Sequence, residues 1–249
     1  MTRIRGKLRP EILNNQFGFV EDRGTRNTIF TLSMIIERAI EMKKDRYLCF
    51  IDYSKAFDRV RHDELYKILN SIDIDGTDLR IVRNLYWDQT AATRIDDEIS
   101  EYKPIKRGVR QGCVLSPDFF NIYSEMILRN IYDLKGIRIG GVNINNLCYA
   151  DDTVLLAESE RELQAILDVV TDASMEMGLD LNAKKTECMT TSKNADPPTC
   201  NLTSNGEKIK QVSSFKYLGY TNLPTENACQ KRREELQLQR KLFFVCDQS

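Results

Sequence analysis

Tyr149-Ala150-Asp151-Asp152 lies between two apolar, strand-like runs, Gly141 to Cys148 and Thr153 to Ala157. The pattern predicts a hairpin with the acidic pair at its tip. Few arrangements constrain a chain more. Adjacent carboxylates repel, and each is driven toward its protonated form unless a positive charge comes between them. A divalent cation meets that need. Oxygen donors suit a hard ion, Mg²⁺ or Mn²⁺, rather than zinc. Such an ion, held by one or two carboxylates and completed by substrate phosphates, is the usual arrangement in nucleotide chemistry. The same tetrapeptide also suits a solvated turn, where Asp is common. The rest of the chain has to decide between the two.

The 249 residues suffice for one large domain or two modest lobes with a core. With 41% apolar and 29% charged residues the composition is that of an ordinary soluble protein. No apolar run approaches the roughly 20 residues that span a bilayer, so no membrane partner is expected. The basic stretch Met1 to Pro10 lacks the apolar centre of a secretory signal. None of the seven cysteines forms a C-x-x-C pair. Cys49, Cys113 and Cys148 read as buried thiols of a reducing, intracellular compartment, nucleus or cytoplasm. A formal charge of −1 excludes a generally basic coat, so a polyanion has to be met by local patches.

Taken in order, residues 1–24 read as a basic, irregular and solvated arm. From Thr25, Ile29, Leu32, Ile36, Ala39 and Ile40 recur at helical spacing. Tyr47 to Ile51 predicts a buried strand ending on Asp52, where a ligand or catalytic group is typically found. Asp58 reads as a cap of the next helix, about Asp63 to Ser71. A second amphipathic helix covers Asp78 to Asp88, and a polar hairpin spans Ala91 to Pro104. Lys103, Lys106, Arg107 and Arg110 form a cationic patch just before Gln111-Gly112, where backbone can approach a ligand. Ser116-Pro117 opens a further helix. Gly136 to Cys148 predicts a hairpin turning near Asn145-Asn146. Ser159 and Glu162 form a capping box for a helix that Gly178 ends. Glu187 to Thr191 is a strand, Asp196-Pro197-Pro198 a break, Phe215 to Tyr220 a strand, and 226–243 a charged helix.

This order predicts an α+β fold, the ferredoxin-like split βαβ layout. It brings Asp52 beside the Asp151 hairpin tip. Two-metal phosphoryl transfer requires that geometry, with ions about 4 Å apart clamping the attacking and leaving oxygens.

The residues also resemble a family, the reverse transcriptases of non-LTR (LINE-type) retrotransposons. The resemblance rests on six ordered stretches, the first three being Gln16-Phe17-Gly18-Phe19, Phe50-Ile51-Asp52-Tyr53-Ser54-Lys55-Ala56-Phe57-Asp58 and Arg110-Gln111-Gly112-Cys113-Val114-Leu115-Ser116-Pro117. The others are Tyr149-Ala150-Asp151-Asp152, Gly178-Leu179 through Asn182 to Lys185-Thr186, and Phe215-Lys216-Tyr217-Leu218-Gly219. Six motifs in sequence outweigh the solvated-turn reading. The resemblance implies a polymerase palm with partial fingers, acting as an RNA-directed DNA polymerase on an RNA template, a DNA primer and dNTPs. It implies that Asp52, Asp151 and Asp152 hold two Mg²⁺ or Mn²⁺ ions. Phe57 would pack under the deoxyribose and exclude a 2′-hydroxyl. Gln111 and Gly112, flanked by Arg110, would line the nucleotide pocket, with Tyr149 beside the carboxylates. Lys185 would protonate or neutralise the leaving pyrophosphate, and Phe215 to Tyr220 would grip the primer end.

Where the family usually has an arginine after Gln-Phe-Gly-Phe this chain has Val20, with Arg23 and Arg26 as partial substitutes. The expectation is a core truncated at both ends. Its parts are partial fingers at 1–45, a palm strand with the first catalytic Asp at 46–61, and fingers-side helices and hairpin at 62–115. Palm follows at 116–222, then the start of a vestigial thumb at 223–249. Two other readings stand beside it, a non-catalytic remnant that binds nucleic acid through Arg107, Arg110 and the N-terminal arm, and a palm-fold nucleotidyl cyclase. The Gln111-Gly112 element and the primer-grip-like strand argue against the cyclase. No oligomeric state follows from these features.

Overall fold

The strand β1 (Arg46–Ile51) sends alternate side chains into two separate hydrophobic clusters, and that alternation organises the molecule. The computed structural model describes residues 2–72, 74, 76–87, 89–192 and 197–221. Within them β1 is the centre of a five-stranded sheet, with β2 (Asn146–Tyr149), β3 (Asp152–Ala157), β4 (Glu187–Thr191) and β5 (Lys210–Gln211). The spatial order is β5-β4-β1-β3-β2. The pairs of β1 with β3 and β4, and of β2 with β3, are antiparallel; β5 joins β4 in parallel.

Helices supply the two covers. They are α1 (Thr2–Leu8), α2 (Thr25–Glu41), α3 (Ala56–Arg59), α4 (His62–Ser71), α5 (Gly76–Tyr86), α6 (Ser116–Leu128) and α7 (Glu160–Glu176). Cys49 and Ile51 of β1 and Leu155 of β3 pack with Leu65, Phe120 and Ile166 from α4, α6 and α7. On the other face Leu48, Phe50 and Val154 meet Leu32 and Ile36 of α2 and the ring of Tyr217. Burying each such side chain contributes about 1.5–3 kcal/mol relative to leaving it exposed. The four antiparallel strands in the order β4-β1-β3-β2 realise the expected split βαβ layout, with α6 and α7 packed into the same cluster. The cap at Ser159 also holds: its Oγ accepts the Glu162 N–H at 3.2 Å, and Gly178 ends α7 at φ +80°.

Several expectations need correction. Residues 1–24 are not an irregular arm. They open with α1, whose Ile4 and Leu8 are buried one turn apart, while Arg3 pairs with Asp78 and Arg5 with Asp118. Asp58 does not cap α4. It lies inside the short α3, and Arg61 stands at the N-cap of α4 with no side-chain cap bond. The hairpin before the acidic pair turns at Gly140-Gly141, both at positive φ, between strands Ile137–Ile139 and Val142–Ile144. Asn145 and Asn146 are buried instead, and the Asn145 side chain donates to the carbonyls of Ile131 and Leu134. Phe215 to Tyr220 is not one strand but a tight hairpin, Lys216–Tyr217 against Tyr220–Thr221, turned by Leu218-Gly219. The expected helix over 226–243, the thumb segment 223–249 and Asp196 lie outside the described residues. Among the described residues no helix is long and apolar enough to cross a membrane.

Candidate active site

Asp52 follows the last residue of β1, Asp151 lies in the turn between β2 and β3, and Asp152 opens β3. Ile51 pairs with Thr153, so the register carried one residue further sets Asp52 opposite Asp152. Tyr149 pairs with Asp152 to close the turn, and Ala150 sits at its corner with φ +57°, a left-handed conformation uncommon for a residue with a Cβ. The backbone of Asp52 is held on both sides. Its N–H donates to Thr186 Oγ1 at 3.3 Å, and its carbonyl accepts the Asn182 N–H at 2.9 Å. The Tyr217 hydroxyl donates to the Asp152 carbonyl at 3.2 Å.

The electrostatics follow from this crowding. Burial raises the Asp151 carboxyl above its ordinary value; its own backbone N–H pulls the other way and the charge of Asp52 adds to the rise. Asp152 is pushed up to about 6, first by burial and then by Asp151 and Asp52. Asp152 keeps an exposed rim, so burial acts on it through the protein mass beneath the turn. The donor set is oxygen only and short of positive charge, which fits a hard divalent cation. Among the described residues no group of three or more His, Cys, Asp or Glu side chains is placed to hold a metal ion by itself.

The other predicted residues surround this centre to different degrees. Phe57 stacks on Phe120 of α6 at 4.1 Å and meets Phe19 edge-on at 6.3 Å; Phe19 also lies 6.5 Å from the Tyr149 ring. Phe57 and Tyr149 thus flank one exposed aromatic next to the carboxylates. Lys185 is exposed, on the Asn182–Thr186 turn that fastens Asp52. Arg110, Gln111 and Gly112 are exposed on a loop joined to Phe57 by the Val109 N–H, which donates to the Phe57 carbonyl at 3.0 Å. No described contact ties these three to the carboxylates. Arg110 instead reaches the Leu85 carbonyl at 3.4 Å. The segment expected to grip the primer docks on the sheet, Phe215 stacking on Phe50 at 4.0 Å.

Sequence reasoning gave no role to Gln16, Asn121, Thr186 or the Tyr217 hydroxyl, all of which touch the backbone around the site. All but Asn121 stood inside quoted motifs, but nothing in a motif says which backbone atom a side chain will meet. Arg23 also differs from expectation. Its guanidinium donates to the carbonyls of Asn14 and Gln16 at 3.0 and 2.9 Å and lies 5.7 Å from the Phe17 ring, so it fastens its own loop.

Residues 2–222 match the reverse transcriptase (RNA-dependent DNA polymerase) family. The chain belongs to that family. Among its relatives is the Pol polyprotein of the Drosophila melanogaster type-2 retrotransposable element R2DM, 29% identical over 82% of this chain and 20% of the relative. The polyprotein of type-1 element R2 of Nasonia vitripennis is 32% identical over 68% of this chain and 17% of its own length. The RNA-directed DNA polymerase from mobile element jockey of Drosophila funebris is 29% identical over 82% and 22%. The chain therefore spans about a fifth of the length of these relatives. In fold it is similar to Candida albicans telomerase solved with a fragment of telomeric RNA, with TM-score 0.61 and 15% identity over 90% of this chain and 38% of that one. Truncated Candida tropicalis telomerase gives TM-score 0.60 at 13% identity, over 84% and 43%.

Proposed function

We propose that this chain is the palm and part of the fingers of an RNA-directed DNA polymerase that adds dNTPs to a DNA primer 3′-hydroxyl along an RNA template. The observation that carries the reading is the register Ile51 to Thr153, which extended by one residue sets Asp52 opposite Asp152, with Asp151 in the turn that joins β2 to β3. Asp52, Asp151 and Asp152 are the residues that would hold two divalent cations, Mg²⁺ or Mn²⁺. Such ions supply a lowered pKa at the attacking hydroxyl and charge neutralisation on the triphosphate.

The chain's own side chains supply the rest. Phe57, backed by Phe120, offers a rigid face under the sugar and leaves no room for a 2′-hydroxyl. Arg110, Gln111 and Gly112 line the nucleotide side, where a glycine lets backbone approach closely. Tyr149 borders the primer end. Lys185, exposed beside the Asp52 turn, neutralises or protonates the departing pyrophosphate. In this reading residues 1–45 are partial fingers, 46–61 and 116–222 palm, 62–115 fingers-side elements, and 223–249 the start of a thumb. Free thiols at Cys49, Cys148 and Cys188, all buried, accord with a reducing intracellular compartment.

The test is dTTP incorporation on poly(rA)/oligo(dT) with Mg²⁺ or Mn²⁺, beside Asp151→Ala. Incorporation by the wild type that vanishes in the variant is expected. A folded wild type without incorporation would overturn the claim that this chain is an enzyme by itself.

A further inference from the structure

We propose that Gln16 is a positioning residue for the catalytic turn, clamping the backbone of Ala150 and thereby fixing where Asp151 and Asp152 point. The inference rests on the proposed function of those carboxylates. It goes further by assigning a role to a loop outside the palm.

The Gln16 side chain is buried, 2% exposed, and its Oε1 accepts two backbone N–H groups at once. Gly18 lies at 2.8 Å and Ala150 at 3.0 Å. Ala150 is the residue held in the left-handed region, directly before Asp151. A hydrogen bond to its N–H opposes the relaxation that such a conformation favours. An unpaired N–H there would be a buried donor without a partner.

The clamp is itself held. Residues 15–17 run along the open edge of β2, where the Asn15 carbonyl accepts the Cys148 N–H at 2.9 Å and the Phe17 N–H donates to the Cys148 carbonyl at 2.8 Å. Asn121 of α6 donates to the Gly18 carbonyl at 2.7 Å. Gly18 packs so closely that a Cβ there would stand 2.2 Å from the Ala150 nitrogen. Every neighbour of Gln16 is thus placed by another element. Its carboxamide is the polar side-chain link from the loop to the turn.

Glutamine suits this task for a chemical reason. A neutral acceptor satisfies both N–H groups without adding a third negative charge beside two carboxylates that already repel. Groups that orient metal-binding residues from behind typically carry a 10–100-fold effect on affinity or activity when removed.

The experiment compares wild type with Gln16→Met, close in shape but without a strong acceptor, and Gln16→Glu, which keeps an oxygen at the same reach. Hydrogen–deuterium exchange reads the clamp without any reaction. In Gln16→Met the Ala150 amide is expected to exchange on the order of 5-fold faster, with β1 and β3 unchanged, which also certifies the fold. Gln16→Glu is expected to keep the protection. Mn²⁺ affinity is then read from the signal of the free ion in electron paramagnetic resonance. The protein is bound to poly(rA), dideoxy-terminated oligo(dT) and dTTP, so no turnover occurs. A weakening of about 10–100-fold in Gln16→Met is expected, with kcat falling by a similar factor and KM for dTTP within about twofold. Unchanged Ala150 protection, or lost protection with unchanged Mn²⁺ affinity, would overturn the inference. A wild type that binds no Mn²⁺ in this complex overturns the proposed function first, and the catalytic meaning of the clamp with it.

Discussion

The turn at 149–152 and the loop at 108–112 both carry residues assigned to the site, yet they are built in opposite ways. The acidic turn is fixed from every side, by strand pairing with β1, by the Gln16 carboxamide and by the Tyr217 hydroxyl. The loop is tied through main-chain atoms of Gly108, Val109 and Arg110, which meet Val60, Phe57, His62 and the Ser116 hydroxyl, while Gln111 and Gly112 stand exposed and the Arg110 side chain reaches only the Leu85 carbonyl among its described contacts. Like charges need rigid support, because without it their repulsion would move them apart. Under the proposed function, neutral and cationic groups on the loop can wait for the nucleotide that they meet. Preorganisation is concentrated where charge is concentrated.

The contrast can be broken most decisively at the carboxylates. Asp151→Ala is expected to abolish incorporation while raising the stability of the metal-free protein by about 0.5–2 kcal/mol, since it removes a half-buried repelling charge. A denaturant titration beside the incorporation assay checks both signs. Glycines sharpen the comparison. Gly18→Ala has to displace backbone at the turn and should cost about 1–3 kcal/mol, with a large loss of activity. Gly112, unlike Gly18, is left-handed, at φ +79°, but has nothing within 4 Å of the added Cβ. Gly112→Ala should therefore cost only about 1–2 kcal/mol in backbone strain and show its effect in KM for dNTP. Equal losses of kcat in the two variants would erase the distinction between turn and loop.

Phe57→Ala tests the seam between them. It removes the ring stacked on Phe120 and should raise rTTP use relative to dTTP by about 10-fold or more, measured by competitive incorporation. The smallest effect is expected far from the chemistry. Glu125 of α6 is buried at 2% exposure, its Oε2 accepts the Leu13 N–H at 3.3 Å, and burial raises its carboxyl above the ordinary value despite Arg129 3.9 Å away. A carboxyl raised on folding binds its proton more tightly in the native state. Its contribution is therefore lost as pH rises from the unfolded value, about 4.3, through the raised native one. Glu125→Gln should be the more stable protein at pH 7, and its advantage should shrink as pH falls through that window. Thermal unfolding of the two proteins from pH 4 to 8 reads this difference.

Much of this was legible in the sequence because it depends on periodicity. The short apolar run Tyr47 to Ile51, the helical spacing of Thr25 onward and the Asp52 and Asp151-Asp152 positions fix the type of an element or the end of it that a residue occupies. The errors came where tertiary contact decides. Arg3, Arg5 and Lys7 suggested a solvated arm, but Ile4 and Leu8 lie one turn apart and found a core to enter. Asn145-Asn146 looked like a turn, but two adjacent glycines five residues earlier turn at lower cost and left the asparagines to be buried against carbonyls. The Gln16 contact could not be read at all, since no local pattern reveals a bond to a residue 134 positions away.

That separation bears on how the protein is made. The loop that clamps the catalytic turn leaves the ribosome long before its partner strand exists, by roughly 7–27 s at common rates of synthesis. During that interval Ile4, Leu8 and the backbone of residues 15–17 have none of their partners from α6 and β2. Residues 4–17 thus stay without these partners until α6 and β2 have been made, and the turn at 149–152 cannot be clamped before then.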